Sequence, residues 1–183
     1  MMRRRPRGGW VWLAWVLAVG VPGLGAQTLE STTTVYLVRH AERAQDDPSD
    51  PTLTPGGTER SALLARMLRD VPLTSVFSSD YRRTRLTAGP VAREHHLEIQ
   101  LYDPRDEGLE ALADRLRTTP GHHLVVGHSN TTPTLVEALG GDPRGGIAED
   151  EYDRLYVVVL AGSAPPSSSL LRFGAPSTDG GER

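Results

Sequence analysis

Two short histidine motifs, Val35-Tyr36-Leu37-Val38-Arg39-His40-Ala41-Glu42 and Leu124-Val125-Val126-Gly127-His128-Ser129-Asn130-Thr131, stand far apart in the chain, and each sits where an apolar, β-prone run ends. Such a run reads as a buried strand. A turn straight after it delivers the next side chains to one rim of the sheet, where open α/β sheets keep their ligand crevice. A third segment, Ser78-Ser79-Asp80 leading to Arg82, Arg83 and Arg85, has the same placement. In a parallel sheet the three strand ends share a rim, so Arg39, His40, an arginine of the third segment and His128 can converge. Cations gathered in this way repel one another. A doubly charged phosphoryl group would neutralise them and accept their hydrogen bonds.

An imidazole whose second nitrogen is held by a backbone carbonyl is a competent nucleophile toward phosphorus, and arginine forks stabilise the transferring charge without requiring a metal. Free N–H groups at the start of a helix at Asn130–Thr132 could add to such an anion site. His95, His96, His122 and His123 lack this context and read as structural.

The elements that must position these groups follow one alternating pattern. Thr33–Val38, Leu73–Ser78, Leu97–Tyr102, His122–Val126 and Leu155–Leu160 read as strands, and Leu170–Phe173 as a segment that can pair at an edge. Between them fall helices: from Thr54-Pro55 to Asp70, with Ala62, Leu63, Leu64, Met67 and Leu68 at helical spacing, then Tyr81–His95, Glu107–Arg117 and Thr131–Leu139. The second helix is expected to turn Leu86, Pro90 and Val91 inward. Strand–helix alternation implies a three-layer α/β/α domain with a mainly parallel central sheet. Ala44–Pro55, with Asp46, Asp47 and Asp50, is a loop expected to cross the rim as the only lid. Without further long insertions the crevice is expected to be shallow, which favours hydrolysis over a mutase reaction that must exclude water. Ala161–Ser169 and the residues from Gly174 onward are rich in Pro, Ser and Gly and read as mobile.

At 183 residues the chain is about one domain long. No cysteine occurs, which excludes disulfides and thiolate metal sites, and all 20 basic residues are arginine, which excludes lysine Schiff bases and lysine phosphate clamps. Four arginines in Met1–Gly9, an apolar stretch over Trp10–Val21 and small residues near Ala26 read as a signal peptide over 1–26. The expectation is a secreted or periplasmic protein, with an uncleaved membrane anchor as the alternative. A single domain over 27–175 and a flexible tail over 176–183 complete the organisation. Without the four leading arginines the formal charge of −3 falls to about −7, which argues against nucleic acid or anionic lipid as a partner.

Arg39-His40 after a strand, Leu53-Thr54-Pro55-x-Gly57, Ser78-Ser79-Asp80-Tyr81-Arg82-Arg83-Thr84-Arg85-Leu86-Thr87-Ala88 and Gly127-His128-Ser129-Asn130 together resemble the histidine phosphatase superfamily, which includes the phosphoglycerate-mutase-like proteins. The resemblance runs from about Thr33 to Leu160. It implies that His40 is the residue phosphorylated in an intermediate, that Arg39 and Arg83 bind the phosphate, and that His128 stabilises the transferring group. The residues themselves add Asn130 at the helix start to the phosphate site and call for no metal or cofactor. Arg83 is singled out by the resemblance, four residues before Thr87-Ala88; helical spacing does not separate it from Arg82. Ala41 replaces a frequent glycine, which is tolerable if the backbone there is not left-handed. The acid that protonates the leaving oxygen has no clear match. Asp103 just past the third strand is the first candidate and Glu107 the second. Glu42 and Arg43 follow the nucleophile and read as surface residues, with orienting the ring or touching substrate as the alternative.

The expectation is an exported, metal-independent phosphatase acting on a small phosphorylated substrate, a phosphomonoester or phosphohistidine, or on a phosphoprotein. One alternative is a binding protein that holds phosphate or a phospho-ligand without turnover. Another, a metal hydrolase built on His40, Glu42 and His128, is disfavoured by the adjacent arginines.

Overall fold

The computed structural model describes residues 32–176. The expected signal peptide over 1–26 and the expected tail beyond 176 lie outside the described residues. Thr32–Arg39 forms β1, Pro55–Leu68 α1, Leu73–Ser79 β2, Arg82–Glu94 α2, Ile99–Tyr102 β3, Asp106–Thr118 α3, Gly121–Gly127 β4, Thr131–Ala138 α4, Arg154–Ala161 β5 and Ser167–Arg172 β6. The strands lie side by side in the order β3-β2-β4-β1-β5-β6. The first four of these are mutually parallel, while β5 runs antiparallel to β1 and β6 antiparallel to β5.

Side-chain alternation along each strand divides the interior into two faces. Val35, Leu37, Phe77 and Val125 pack with Leu112, Leu116, Leu135 and Leu139 of α3 and α4. Their neighbours Val38, Val76, Leu124 and Val126 turn the other way, onto Leu64 and Leu68 of α1 and Ala88 and Val91 of α2. The result is a three-layer α/β/α sandwich. Its parallel strands β1, β2 and β4 are buried on both sides, which explains the apolar runs Val35–Val38, Val76–Phe77 and Leu124–Val126 within them.

The chain enters α1 through a designed-looking start. Thr54 caps it by accepting the Gly57 N–H at 3.0 Å, and Pro55 occupies the first turn. Gly57 is required because a Cβ there would lie 2.5 Å from the Glu42 carbonyl oxygen. The helix therefore packs directly on the segment after β1.

Four expectations need correction. Met67 is exposed, because α1 turns Arg60, Ser61, Leu64, Ala65 and Leu68 inward instead. Leu86 is exposed as well, leaving Thr84, Thr87, Ala88 and Val91 as the buried stripe of α2. Ala161–Ser169 is not a mobile stretch throughout: Ala161 ends β5, and Ser167–Ser169 pair with Val157–Val159. A backbone ladder requires only free N–H and C=O groups, so a serine-rich edge strand forms where composition suggested a loop. Nor is the chain loose just beyond it, since Arg60 donates to the carbonyls of Phe173 at 2.6 Å and Ala175 at 2.9 Å.

Candidate active site

β1, β4 and β2 are consecutive neighbours in the parallel part of the sheet, and all three end at the same rim. Their strand ends deliver His40, His128 and Ser79. His40 is tied to the end of β4 by its own N–H, which donates to the Gly127 carbonyl at 2.9 Å. The two imidazoles stand edge to face with ring centroids 5.5 Å apart. Both line a cleft of about 300 Å³ together with Arg39, Arg83, Asn130 and Glu149. The sequence-expected Arg39, His40, Arg83, His128 and Asn130 are thus brought together.

Hydrogen bonds fix the two rings differently. His40 Nδ1 lies 2.8 Å from the Ala41 carbonyl oxygen and can only donate to it, which leaves Nε2 with its lone pair. His128 Nε2 lies 2.8 Å from Ser79 Oγ, whose own proton goes to Thr84 Oγ1. The His128 proton therefore resides on Nε2, and Nδ1 meets the Arg83 guanidinium at 3.5 Å. Burial, helped by the neighbouring arginines, pushes His40 down to about 3 and His128 down to about 4. Both rings are neutral at pH 7.

Each arginine is buttressed from behind. Arg39 is buried, donates through Nη1 to the carbonyls of Ala148 at 2.7 Å and Glu151 at 2.9 Å, and lies 4.2 Å over the Tyr152 ring. Arg83 lies 4.4 Å over the Tyr81 ring and reaches Asp50 at 3.7 Å. Desolvation lowers both guanidiniums from their ordinary value, but an arginine stays charged throughout the working range. Nε of Arg39 and Nε of Arg83 are both buried without a hydrogen-bond partner. Two desolvated cations with unspent donors, facing two neutral imidazoles, constitute an anion cradle.

Some candidates fall elsewhere. Asp103 does not line the cleft: its carboxylate accepts from Arg105 N–H at 3.1 Å and Arg105 Nε at 2.9 Å, and that partner holds it below the usual carboxylate range. The reason is topological, since β3 is the outermost strand, separated from β1 by β2 and β4. Its end reaches only the cleft margin, where Pro104 stands. Glu107 is exposed in the first turn of α3. Glu42 is half-buried and clamped by Arg60 at 2.7–3.1 Å. Ala41 has no left-handed backbone, so the missing glycine is tolerated.

Sequence reasoning missed Ser79, Tyr81, Thr87, Glu149 and Tyr152. Thr87 Oγ1 accepts the Ala41 N–H at 3.0 Å and donates to the Arg83 carbonyl at 2.8 Å, coupling the nucleophile turn to α2. Its position one helical turn after Arg83 was the available signal. Glu149 and Tyr152 come from the connection between α4 and β5, which forms a second wall opposite the 44–52 loop, and no local pattern marked it. His95 and His123 are structural, bonded to the Leu68 carbonyl and to Ser75 and the Thr119 carbonyl.

Residues 35–107 match the histidine phosphatase superfamily (branch 1). Over 77 residues the chain is 39% identical to the protein named "Probable phosphoglycerate mutase GpmB" of Escherichia fergusonii; the match covers 39% of this chain and 35% of that protein. The chain thus spans about a third of the length of the curated relative it matches. Among solved structures, the protein histidine phosphatase SixA in complex with tungstate aligns with a TM-score of 0.62 at 21% identity, covering 76% of this chain and 96% of that one. Phosphoglycerate mutase from Bacillus anthracis aligns with a TM-score of 0.54 at 17% identity, over 79% and 94% of the two chains. The fold is that of the phosphoglycerate-mutase-like histidine phosphatases. Residues 35–107 carry the sequence match to the histidine phosphatase superfamily, and the structural neighbours show the fold.

Proposed function

We propose that the protein is a phosphatase of this superfamily that works through a phosphohistidine on His40. The observation that carries the reading is the His40 ring: its Nδ1 donates to the Ala41 carbonyl, its Nε2 is unprotonated at neutral pH, and it shares a cleft with Arg39, Arg83 and His128. In the first step the Nε2 lone pair forms the N–P bond while the bond from phosphorus to the leaving oxygen or nitrogen breaks. The leaving atom takes a proton from water: neither Asp103 nor Glu107 lines the cleft, and Glu149, which does, is paired with Arg43 at 2.6 Å. Arg39 and Arg83 hold the equatorial oxygens and stabilise the charge that spreads over them. In the second step water attacks phosphorus, the P–N bond breaks, inorganic phosphate leaves and His40 recovers its lone pair.

With Glu149, the carboxylate that lines the cleft, committed to Arg43, the reading favours groups that depart easily, such as aryl oxides and the imidazole of phosphohistidine. The neighbour described as a protein histidine phosphatase is consistent with that class. Export belongs to the proposal too, and rests on the leader pattern of 1–26 alone. Among the described residues no helix is long and apolar enough to cross a membrane.

The test is rapid quench of turnover of ³²P-labelled substrate in excess chelator, followed by mapping of the label. Acid-labile phosphate on His40, lost in His40→Ala, is the expected result. Turnover that chelator abolishes, or tight phosphate binding with neither turnover nor label, would replace the reading with a metal hydrolase or a binding protein.

A further inference from the structure

Beside the anion cradle lies a second cleft, of about 560 Å³, and the two share Arg43 and Glu149 at their junction. The junction borders the cradle, so a leaving group that extends from a phosphoryl group on Arg39 and Arg83 toward the second cleft would pass it. The charge there is set by one ion pair. Arg43 Nη2 lies 2.6 Å from Glu149 Oε1, and the other carboxylate oxygen lies 3.9 Å from Arg39 Nη2. Glu149 is kept in place although its side chain is 73% exposed, because the flanking carbonyls of Ala148 and Glu151 are the acceptors of the buried Arg39 guanidinium.

The pairing cancels Arg43, which is the one cation lining the second cleft. The remaining charged groups there are acids. Asp47 lines it, held down at about 2 by the hydroxyl and N–H of Ser49 and the N–H of Asp50. Tyr152 and Pro48 supply apolar surface. A leaving group with a second negative charge would meet a neutralised arginine and the Asp47 carboxylate, whereas a neutral or cationic one would meet attraction.

We infer that the Arg43–Glu149 pair is a specificity element that selects phosphorylated compounds whose leaving group is neutral or cationic and rejects those carrying a second anion. The inference rests on the phosphatase reading for the placement of the phosphoryl group. It separates this chain from a phosphoglycerate enzyme, whose substrate brings a carboxylate into the leaving-group position.

Phosphocholine and 3-phosphoglycerate, both alkyl monoesters, differ in the sign of the distal charge and serve as probes. Their competitive inhibition constants against p-nitrophenyl phosphate are measured for the natural protein, Glu149→Gln and the double variant Glu149→Gln/Arg43→Ala. The natural protein is expected to prefer phosphocholine by about tenfold, the size of one charge–charge contact in a solvated cleft. Glu149→Gln unmasks Arg43 and is expected to bring the two constants within about threefold, mainly by tightening 3-phosphoglycerate. The double variant is expected to lose that tightening, which a loop that has merely loosened would not reproduce.

An unchanged ratio in Glu149→Gln, or a natural protein that prefers 3-phosphoglycerate, overturns the inference. If p-nitrophenyl phosphate is not turned over at all, the phosphatase reading fails by itself. Calorimetric titration with the same two compounds then still decides the charge preference.

Discussion

Arg83 and His128 belong to the cleft and contribute little to the core, so their loss should separate activity from stability. Replacing either by alanine is expected to lower kcat about 10²–10³-fold, the usual cost of one charge-stabilising donor. The denaturation midpoint should move little, and steady-state kinetics beside urea unfolding of the same preparations checks both halves. Thr87 is the opposite kind of residue. Thr87→Val keeps the volume but removes the acceptor of the buried Ala41 N–H. An orphaned buried donor costs about 1–3 kcal/mol, so urea unfolding should show a loss of that size. Because Ala41 follows the nucleophile, kcat should fall as well, while a KM set by Arg39 and Arg83 changes less. A stability loss with unchanged kcat would mean that the turn after β1 holds His40 without α2.

At the scale of elements, Gly127 joins β4 to the His128 turn in a space with no room for a side chain. A Cβ there would lie 2.8 Å from Thr131 Oγ1, 2.9 Å from the Tyr102 hydroxyl and 3.0 Å from Thr132 Oγ1. Thr131 Oγ1 accepts the His128 N–H at 2.9 Å, so the strain of Gly127→Ala falls on the ring's own anchor. Thermal unfolding should show a loss of about 1–3 kcal/mol, and activity should drop more than that loss predicts. Gly127 illustrates what the chain discloses about itself. The run Leu124–Val126 followed by Gly-His announced a buried strand and a tight turn, because parallel strands buried on both faces need uninterrupted apolar residues. By the same logic β1 and β2 were legible to within a residue or two. Ser167–Ser169 were not, because their pairing depends on the backbone of β5 rather than on their side chains. Glu149 and Tyr152 were hidden for a related reason. Only the third dimension sets the α4–β5 connection against the Arg39 guanidinium, so no spacing in the sequence encodes their approach.

The whole molecule carries the two cleft histidines as neutral groups, and this couples folding to pH. In the unfolded chain a histidine titrates near 6.5; in the fold burial depresses His40 to about 3 and His128 to about 4, and lowers His123 in the same direction. Below about pH 6.5 the unfolded state therefore binds more protons than the native one, and stability falls with pH until the native groups titrate in turn. The stabilisation is fully present above pH 6.5 and lost progressively as pH falls from 6.5 to about 3. The upper part of that window, pH 6.5 to 5, lies above the range in which ordinary carboxylates titrate, so the slope there reports the imidazoles. Urea unfolding at pH 7, 6, 5.5 and 5 should show a declining free energy, and the double variant His40→Asn/His128→Asn, whose amides do not titrate, should flatten the decline. A tetrahedral dianion such as tungstate favours protonation of His128 and should raise its titration in NMR spectra, so the same ligand should make the native fold less acid-sensitive. A slope between pH 6.5 and 5 that is identical in the natural protein and the double variant would mean that the rings are hydrated and titrate in the fold as they do in solution. The neutral nucleophile on which the phosphohistidine chemistry depends at mildly acidic pH would then be absent.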